Sequence, residues 1–163
     1  MFGTTGDIIE ISAKQKPDFS FIKAANAFRA IELHAEKLIN QPTKQKLWSI
    51  RQDSGIYKRS VNVLSESYKM FLDMGYRASP NMLQTLFLTQ PGERQHPVNI
   101  DQVTAVARDC VLAYVECHLL AEIHHVVSAQ FPITIMEVIQ FRREYIGSVD
   151  ACVRELVYRK GQY

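Results

Sequence analysis

The stretch from Ile100 to Val127, IDQVTAVARDCVLAYVECHLLAEIHHVV, constrains the fold more than any other part of this chain. It holds no Gly or Pro, and its apolar residues recur at helical spacing as Ile100, Val103, Ala107, Cys110, Tyr114, Cys117 and Ala121. A second apolar row, Leu112, Val115, Leu119, Ile123 and Val126, runs round the other side. A helix with one apolar stripe lies on a core, and a helix with two lies within it. The stretch is therefore predicted to be a central helix packed on more than one side. It also sets Glu116, His118, Glu122, His124 and His125 among apolar neighbours.

The remainder reads as helix as well. Only 7 Gly and 6 Pro occur in 163 residues, too few turn-formers for an all-β fold. Residues 18–39 carry the stripe Phe21, Ala25, Phe28, Ile31, Ala35 and Leu38, with Asp18 as N-cap. A second helix is predicted from Thr43, kinked or broken at Ser54-Gly55 and continued by the seam Tyr57, Val61, Leu64, Tyr68 and Phe71 to a Gly75 cap. A short helix over Pro80–Leu88 would bury Leu83, Leu86 and Phe87. The run TQPGERQHPVN is a loop, with a turn at Gln90-Pro91-Gly92 and a helix cap at Asn99. After Phe131-Pro132 a last helix is predicted, with Gly147 tolerated inside the stripe Ile135, Val138, Phe141, Tyr145, Val149, Cys152 and Leu156. The expectation is an all-α, single-domain helical bundle of four long helices plus one short one, packed up-and-down. Residues 1–17 are expected to form an extended N-terminal tail and residues 18–160 the bundle.

The formal charge is only +2, too small to imply nucleic acid or a membrane by itself. It is unevenly placed. Residues 41–80 carry seven Lys/Arg against three Asp/Glu, and residues 81–130 carry two against five. The two readings of this are solvated helix faces of opposite sign and a basic patch for an acidic partner. No unbroken run of about 18 apolar residues occurs, so no membrane span is predicted. Cys110 and Cys117 lie about 10.5 Å apart along one helix, beyond the roughly 7 Å that a disulfide bridges. With Cys152 they make an odd count without framework spacing, which suits a reducing compartment, the cytoplasm first. The start MFGTTGDIIEISAKQK reads as neither a secretory signal nor a mitochondrial presequence.

Chemistry-bearing constellations are sparse. Glu116, His118, Glu122 and His125 form the best one, with the last three on one helix face. Glu122-x-x-His125 is the element that carboxylate-bridged dimetal bundles use twice, and here it occurs once. A transition-metal ion is the cofactor this cluster would take; otherwise none is expected. The alternative for His118 and His125 is a helix–helix seam. Arg29-x4-His34 is similar in spacing to the Arg/His ribonuclease site of one helical-bundle nuclease family. Cys117 and His118 are helix neighbours and point about 100° apart, so they cannot pair as nucleophile and base. No glycine-rich phosphate loop, Cys-x-x-Cys or Gly-x-Ser-x-Gly occurs. With no complete catalytic constellation, a non-catalytic role is expected.

Binding is better supported. Trp48, Tyr57, Tyr68 and Tyr76 among basic residues suggest a nucleic-acid surface, but Tyr57 and Tyr68 belong to the apolar seam and no nucleic-acid module is present. Apolar residues outnumber what one stripe per helix needs. Phe2, Ile8, Ile9 and Ile11 on the tail, with Leu112, Val115, Leu119 and Ile123 on the central helix, are candidate contacts to a protein partner or a second copy. The run LLAEIHHVVSAQF followed by IMEVIQFRREYIGSVDACVREL resembles the closing helices of sorting-nexin BAR regions over the last third of the chain. That resemblance implies a dimeric bundle that senses membrane curvature. The chain departs from it at Pro80, Pro91, Pro97 and Pro132 and lacks a dense Lys/Arg face. The function expected is therefore that of a helical subunit or adaptor acting through protein contacts. A metal-binding bundle and a BAR-like membrane-surface bundle are the alternatives.

Overall fold

The computed structural model describes residues 3–89, 92–94 and 96–162. The molecule is mostly helical, with a small sheet set into it. Two long helices form its axis: α2 (Phe21–Asn40) and α5 (Ile100–Ser128) pack along each other. Every residue of the expected first stripe of α2, from Phe21 to Leu38, is buried. The cap is Ser20, whose hydroxyl accepts from the Lys23 amide, and not Asp18. Asn99 caps α5 as its sequence suggests, accepting from the Gln102 amide at 3.1 Å. By length and hydropathy α5 would pass for a membrane span. Here it is the hub, with Val103, Cys110, Cys117, Leu120 and Val127 fully covered by neighbouring elements.

The expected extended tail is a helix, α1 (Thr4–Gln15), lying on α5 and on α6 (Ile135–Glu144). Ile8 and Ile9 alternate with polar residues poorly for a strand, and with Ser12 they make one helical face. Ser12 Oγ donates to Ile8 O at 2.5 Å and accepts the Ser65 amide at 2.8 Å.

That last bond helps explain a second correction. The stretch predicted as one helix from Thr43 to Gly75 is a 3-10 turn (Gln45–Leu47), a strand β1 (Ser49–Arg51) and two short helices, α3 (Gly55–Ser60) and α4 (Tyr68–Asp73). The Ser65 amide is satisfied by α1 instead of by its own helix, and Glu66 turns the chain through the left-handed region at φ 60°. Tyr57, Val61, Leu64 and Phe71 are nonetheless buried, whereas Tyr68 is exposed. Gly75, at φ 110°, closes α4: its amide donates to Leu72 O and that of Tyr76 to Phe71 O, the paired bonds of a Schellman cap.

The helix predicted over Pro80–Leu88 is instead a turn followed by β3 (Thr85–Phe87). This strand sits between β1 and β2 (Arg77–Ala78), antiparallel to both, with Ile50 opposite Leu86 and Arg77 opposite Phe87. Leu86 and Phe87 are buried, but Leu83 is 86% exposed at the turn. The Gln90-Pro91 part of the predicted turn lies outside the described residues.

The predicted single closing helix is two: α6 and α7 (Val149–Gly161). A capping box of Thr134 and Glu137 starts α6. The chain then leaves helix at Tyr145, and Ser148 recaps it by accepting from the Ala151 amide. Gly147 fits closely at this break: a Cβ there would meet the Tyr145 ring at 3.2 Å and Ala151 Cβ at 3.3 Å, so a larger residue would push these neighbours back by a few tenths of an ångström. All-α is thus the right class in outline. The simple bundle of four long helices gives way to two long helices, shorter ones packed round them and a three-stranded sheet.

Candidate protein-docking groove

The broken segment between α2 and α4 leaves a groove of about 470 Å³ against the outer face of α2. Its floor is Leu47, Ile50, Tyr57, Val61 and Phe71, all largely buried. Its apolar lips are Leu33 of α2 and Ile56 of α3, 40% and 73% exposed. Lys37, Lys44, Lys46 and Arg51 also line it, and no Asp or Glu does. Arg51 is held by Asp53 at 3.2 Å, but Lys37, Lys44 and Lys46 have no ion-pair partner among the described residues.

One wall is fixed by a buried polar chain. Tyr76, fully buried, donates its single hydroxyl proton to Leu47 O at 2.5 Å. His34 Nε2 lies 2.7 Å from the same hydroxyl oxygen. With the phenolic proton already given away, the His34 nitrogen must be the donor, so the ring is the Nε2–H tautomer. Burial, and to a lesser extent the Lys37 ammonium, pushes the His34 pKa down to about 4, so the ring is neutral at physiological pH. Burial also raises the Tyr76 phenol well above its usual range. Phe71 packs edge-on against both His34 and Tyr76. The groove is thus a preformed apolar slot with cationic edges.

The residues singled out from sequence fall elsewhere. Glu116 is buried and turned to α6, where it accepts from Arg142 Nε at 2.6 Å and Nη2 at 3.3 Å. The same guanidinium donates to Gly147 O at 2.7 Å and reaches Cys152 Sγ at 3.4 Å, tying α5, the α6–α7 break and α7 together. His118, Glu122 and His125 are exposed, and His118 stacks edge-on with Tyr114. Glu116 is therefore not brought to the histidines, and no group of three metal-ligating side chains occurs among the described residues. Arg29 pairs with the buried Glu32, while His34 turns inward to Tyr76, so the two do not form one exposed site. Burial pushes the Cys110 and Cys117 thiols up to about 12, which leaves them unreactive, and all three cysteines are free.

Of the expected contacts, Ile8, Ile9 and Ile123 are core residues of this chain, 1% exposed or less, and are corrected accordingly. Ile11 and Leu119 are half-buried, Leu112 and Val115 are exposed beside Val111, and Phe2 lies outside the described residues. Sequence reasoning missed Leu33 and Ile56 as groove lips. The signals present were the cationic excess of residues 41–80 and the Ser54-Gly55 break, which the structure joins at one place.

The described residues thus form a mostly helical domain with an apolar groove edged by cations. Residues 6–152 match the family model described as "Spermatogenesis-associated protein 2, PUB-like domain", and the chain belongs to that family. PUB-like domains mediate protein–protein interactions. The chain is also similar to Protein tamozhennic of Drosophila melanogaster, 32% identical over 155 residues. That match covers 94% of this chain and 18% of the fly protein, so the chain spans under a fifth of the relative's length.

Proposed function

We propose that this chain is a non-catalytic docking domain that joins a larger assembly, and that its groove takes an extended segment of a partner protein carrying apolar side chains in an acidic context. The observation that carries the reading is the unbalanced charge of the groove. Three lysines without partners surround an apolar slot that no carboxylate lines. Apolar burial supplies affinity and the cations select an acidic sequence. Three free, buried cysteines support work in a reducing compartment such as the cytoplasm.

The test is fluorescence anisotropy with a labelled nine-residue peptide, a central Leu-Phe pair flanked by aspartates and glutamates, and its counterpart with lysines in place of the acids. The acidic peptide binds and the basic one does not. Lys37→Glu/Lys46→Glu weakens binding about tenfold, since each exposed ion pair contributes up to about 1 kcal/mol and reversal adds repulsion. Binding unaffected by these substitutions, or phosphatidylserine vesicles that compete with the peptide while the peptide ignores Ile56→Asp, would overturn the reading.

A further inference from the structure

A second depression of about 450 Å³ adjoins the groove. Ala30 of α2 and Ser60 of α3 line both, so the two meet across a shared rim. The second is different in character. Lys23, Lys58 and Arg59 line it with Asn26 and Ser60, and again no carboxylate does. Lys58 and Arg59 have no ion-pair partner among the described residues, and only Lys23 is shared with Asp18, at 3.4 Å. Elsewhere pairing is common: Lys14, Arg29, Lys69, Arg142, Arg143, Arg159 and Lys160 each meet a carboxylate.

The two depressions also share a line along α2. Lys23, Asn26, Ala30, His34 and Lys37 recur at three- and four-residue steps, so they lie on one helix face. From Lys23 to Lys37 is 14 residues, about 21 Å of helix. An extended chain covers that length with six or seven residues.

We infer that the two depressions form one trough, and that a bound partner segment continues from the apolar groove across Ala30 and Ser60 to place a run of carboxylates at Lys23, Lys58 and Arg59. The inference rests on the docking reading above and adds to it a length, an order and a second subsite. The segment is amphipathic by position: apolar side chains sit between Leu33 and Ile56, and acidic ones follow at one end only. The one-ended order arises because the apolar lips belong to the first depression alone. The second depression offers only ammonium, guanidinium, amide and hydroxyl groups around Ala30 and Val63.

The experiment shortens the peptide to its Leu-Phe pair with one acid on each side, too short to reach from Leu33 to Lys23, about 15 Å along the helix, and extends it by four glutamates at its N-terminus, by four at its C-terminus, or by four glutamines at either end. Each is titrated against the wild-type chain and against Lys58→Ala/Arg59→Ala, whose side chains are exposed and whose replacement leaves the fold intact. Glutamate at one end tightens binding about tenfold and glutamate at the other end does not. Lys58→Ala/Arg59→Ala removes the gain and leaves the unextended peptide's affinity unchanged. An unextended peptide that binds, with no gain from either extension or a gain that survives the double substitution, overturns the trough and leaves the docking reading standing. Failure of every peptide to bind overturns both. Amide chemical-shift mapping of the extended peptide gives a second readout: changes at Asn26, Lys58 and Arg59 support the trough, and changes confined to the first groove refute it.

Discussion

Acidification should loosen this domain through one imidazole. His34 is held neutral inside the groove wall, with a pKa of about 4, chiefly by burial and secondarily by Lys37. In the unfolded chain an imidazole titrates near 6.5. Between these values the unfolded chain binds a proton that the native chain refuses. The stability concerned is complete above pH 6.5 and is lost as the pH falls towards 4. The loss runs at about 1.4 kcal/mol per pH unit, giving about 2 kcal/mol by pH 5 and about 3 kcal/mol by pH 4. Urea denaturation at pH 7.5 and pH 5.0 measures it, with His34→Gln as the comparison. The glutamine amide still offers an N–H to Tyr76 but does not titrate. The wild type should lose about 2 kcal/mol more than His34→Gln over this interval. Parallel losses, within about 0.5 kcal/mol of each other, would refute the assignment of His34 as a buried neutral donor. The comparison cancels the other histidines, which both proteins share.

Two further outcomes follow from the geometry. Glu116→Gln leaves the Arg142 guanidinium without its carboxylate where both side chains are almost covered, 12% and 14% exposed, and should cost about 3 kcal/mol. Calorimetry should show this as a melting temperature lowered by about 6–12 °C, with most of it regained in Glu116→Leu/Arg142→Met; a shift under 2 °C would show the pair to be idle. Leu112→Glu/Val115→Glu alters two exposed positions and should leave the melting temperature within about 2 °C. Light scattering on the same variant reads self-association: a wild-type dimer that the substitution dissolves identifies this face as a contact between copies, and an unchanged mass removes it.

Much of the scaffold was legible in the sequence because it obeys local rules. The long helices α2 and α5 have unbroken 3.6-residue periodicity, and Asn99 and Gly75 mark their elements by side-chain capping and by left-handed φ. The second apolar row of α5 was half right: Ile123 is core, while Leu112 and Val115 face outward. The failures share a cause. Apart from the tail, where helix replaces an expected extended segment, each is a place where a distant group satisfies a backbone bond that helix would otherwise supply. Ser12 takes the Ser65 amide, Arg142 takes the Gly147 carbonyl, and β1 and β2 take the backbone of β3. Helical spacing at Tyr57, Val61, Leu64 and Phe71 reports burial correctly, but burial in a compact loop with short helices leaves the same trace. The Glu116 cluster misled for a related reason. Spacing on one helix says which residues share a face, and only the partner helix decides whether a carboxylate meets an arginine or a metal.

The candidate site lies where regular structure stops, and this has a physical basis. A continuous helix from Thr43 to Gly75 would lay its seam flat against α2 and leave no slot. Breaking it at Ser54 and after Ser60 lifts Ile56 off the core, and turns Leu47 and Ile50 inward as a floor. The support is α2, whose inner face is fixed by Phe28, Ile31, Ala35 and Leu38, while Leu33 and Lys37 are exposed and His34 turns in to Tyr76. A groove built in this way keeps its shape because the helix beneath it is packed. It stays open because the segments that wall it spend their polar bonds on each other: Tyr76 on Leu47, Trp48 on Pro42, and Leu88 on Trp48. Cations left unpaired round such a slot repel one another and add nothing to folding. Their grouping round a carboxylate-free cavity is a cost to folding, and the acidic segment proposed for the groove would offset it.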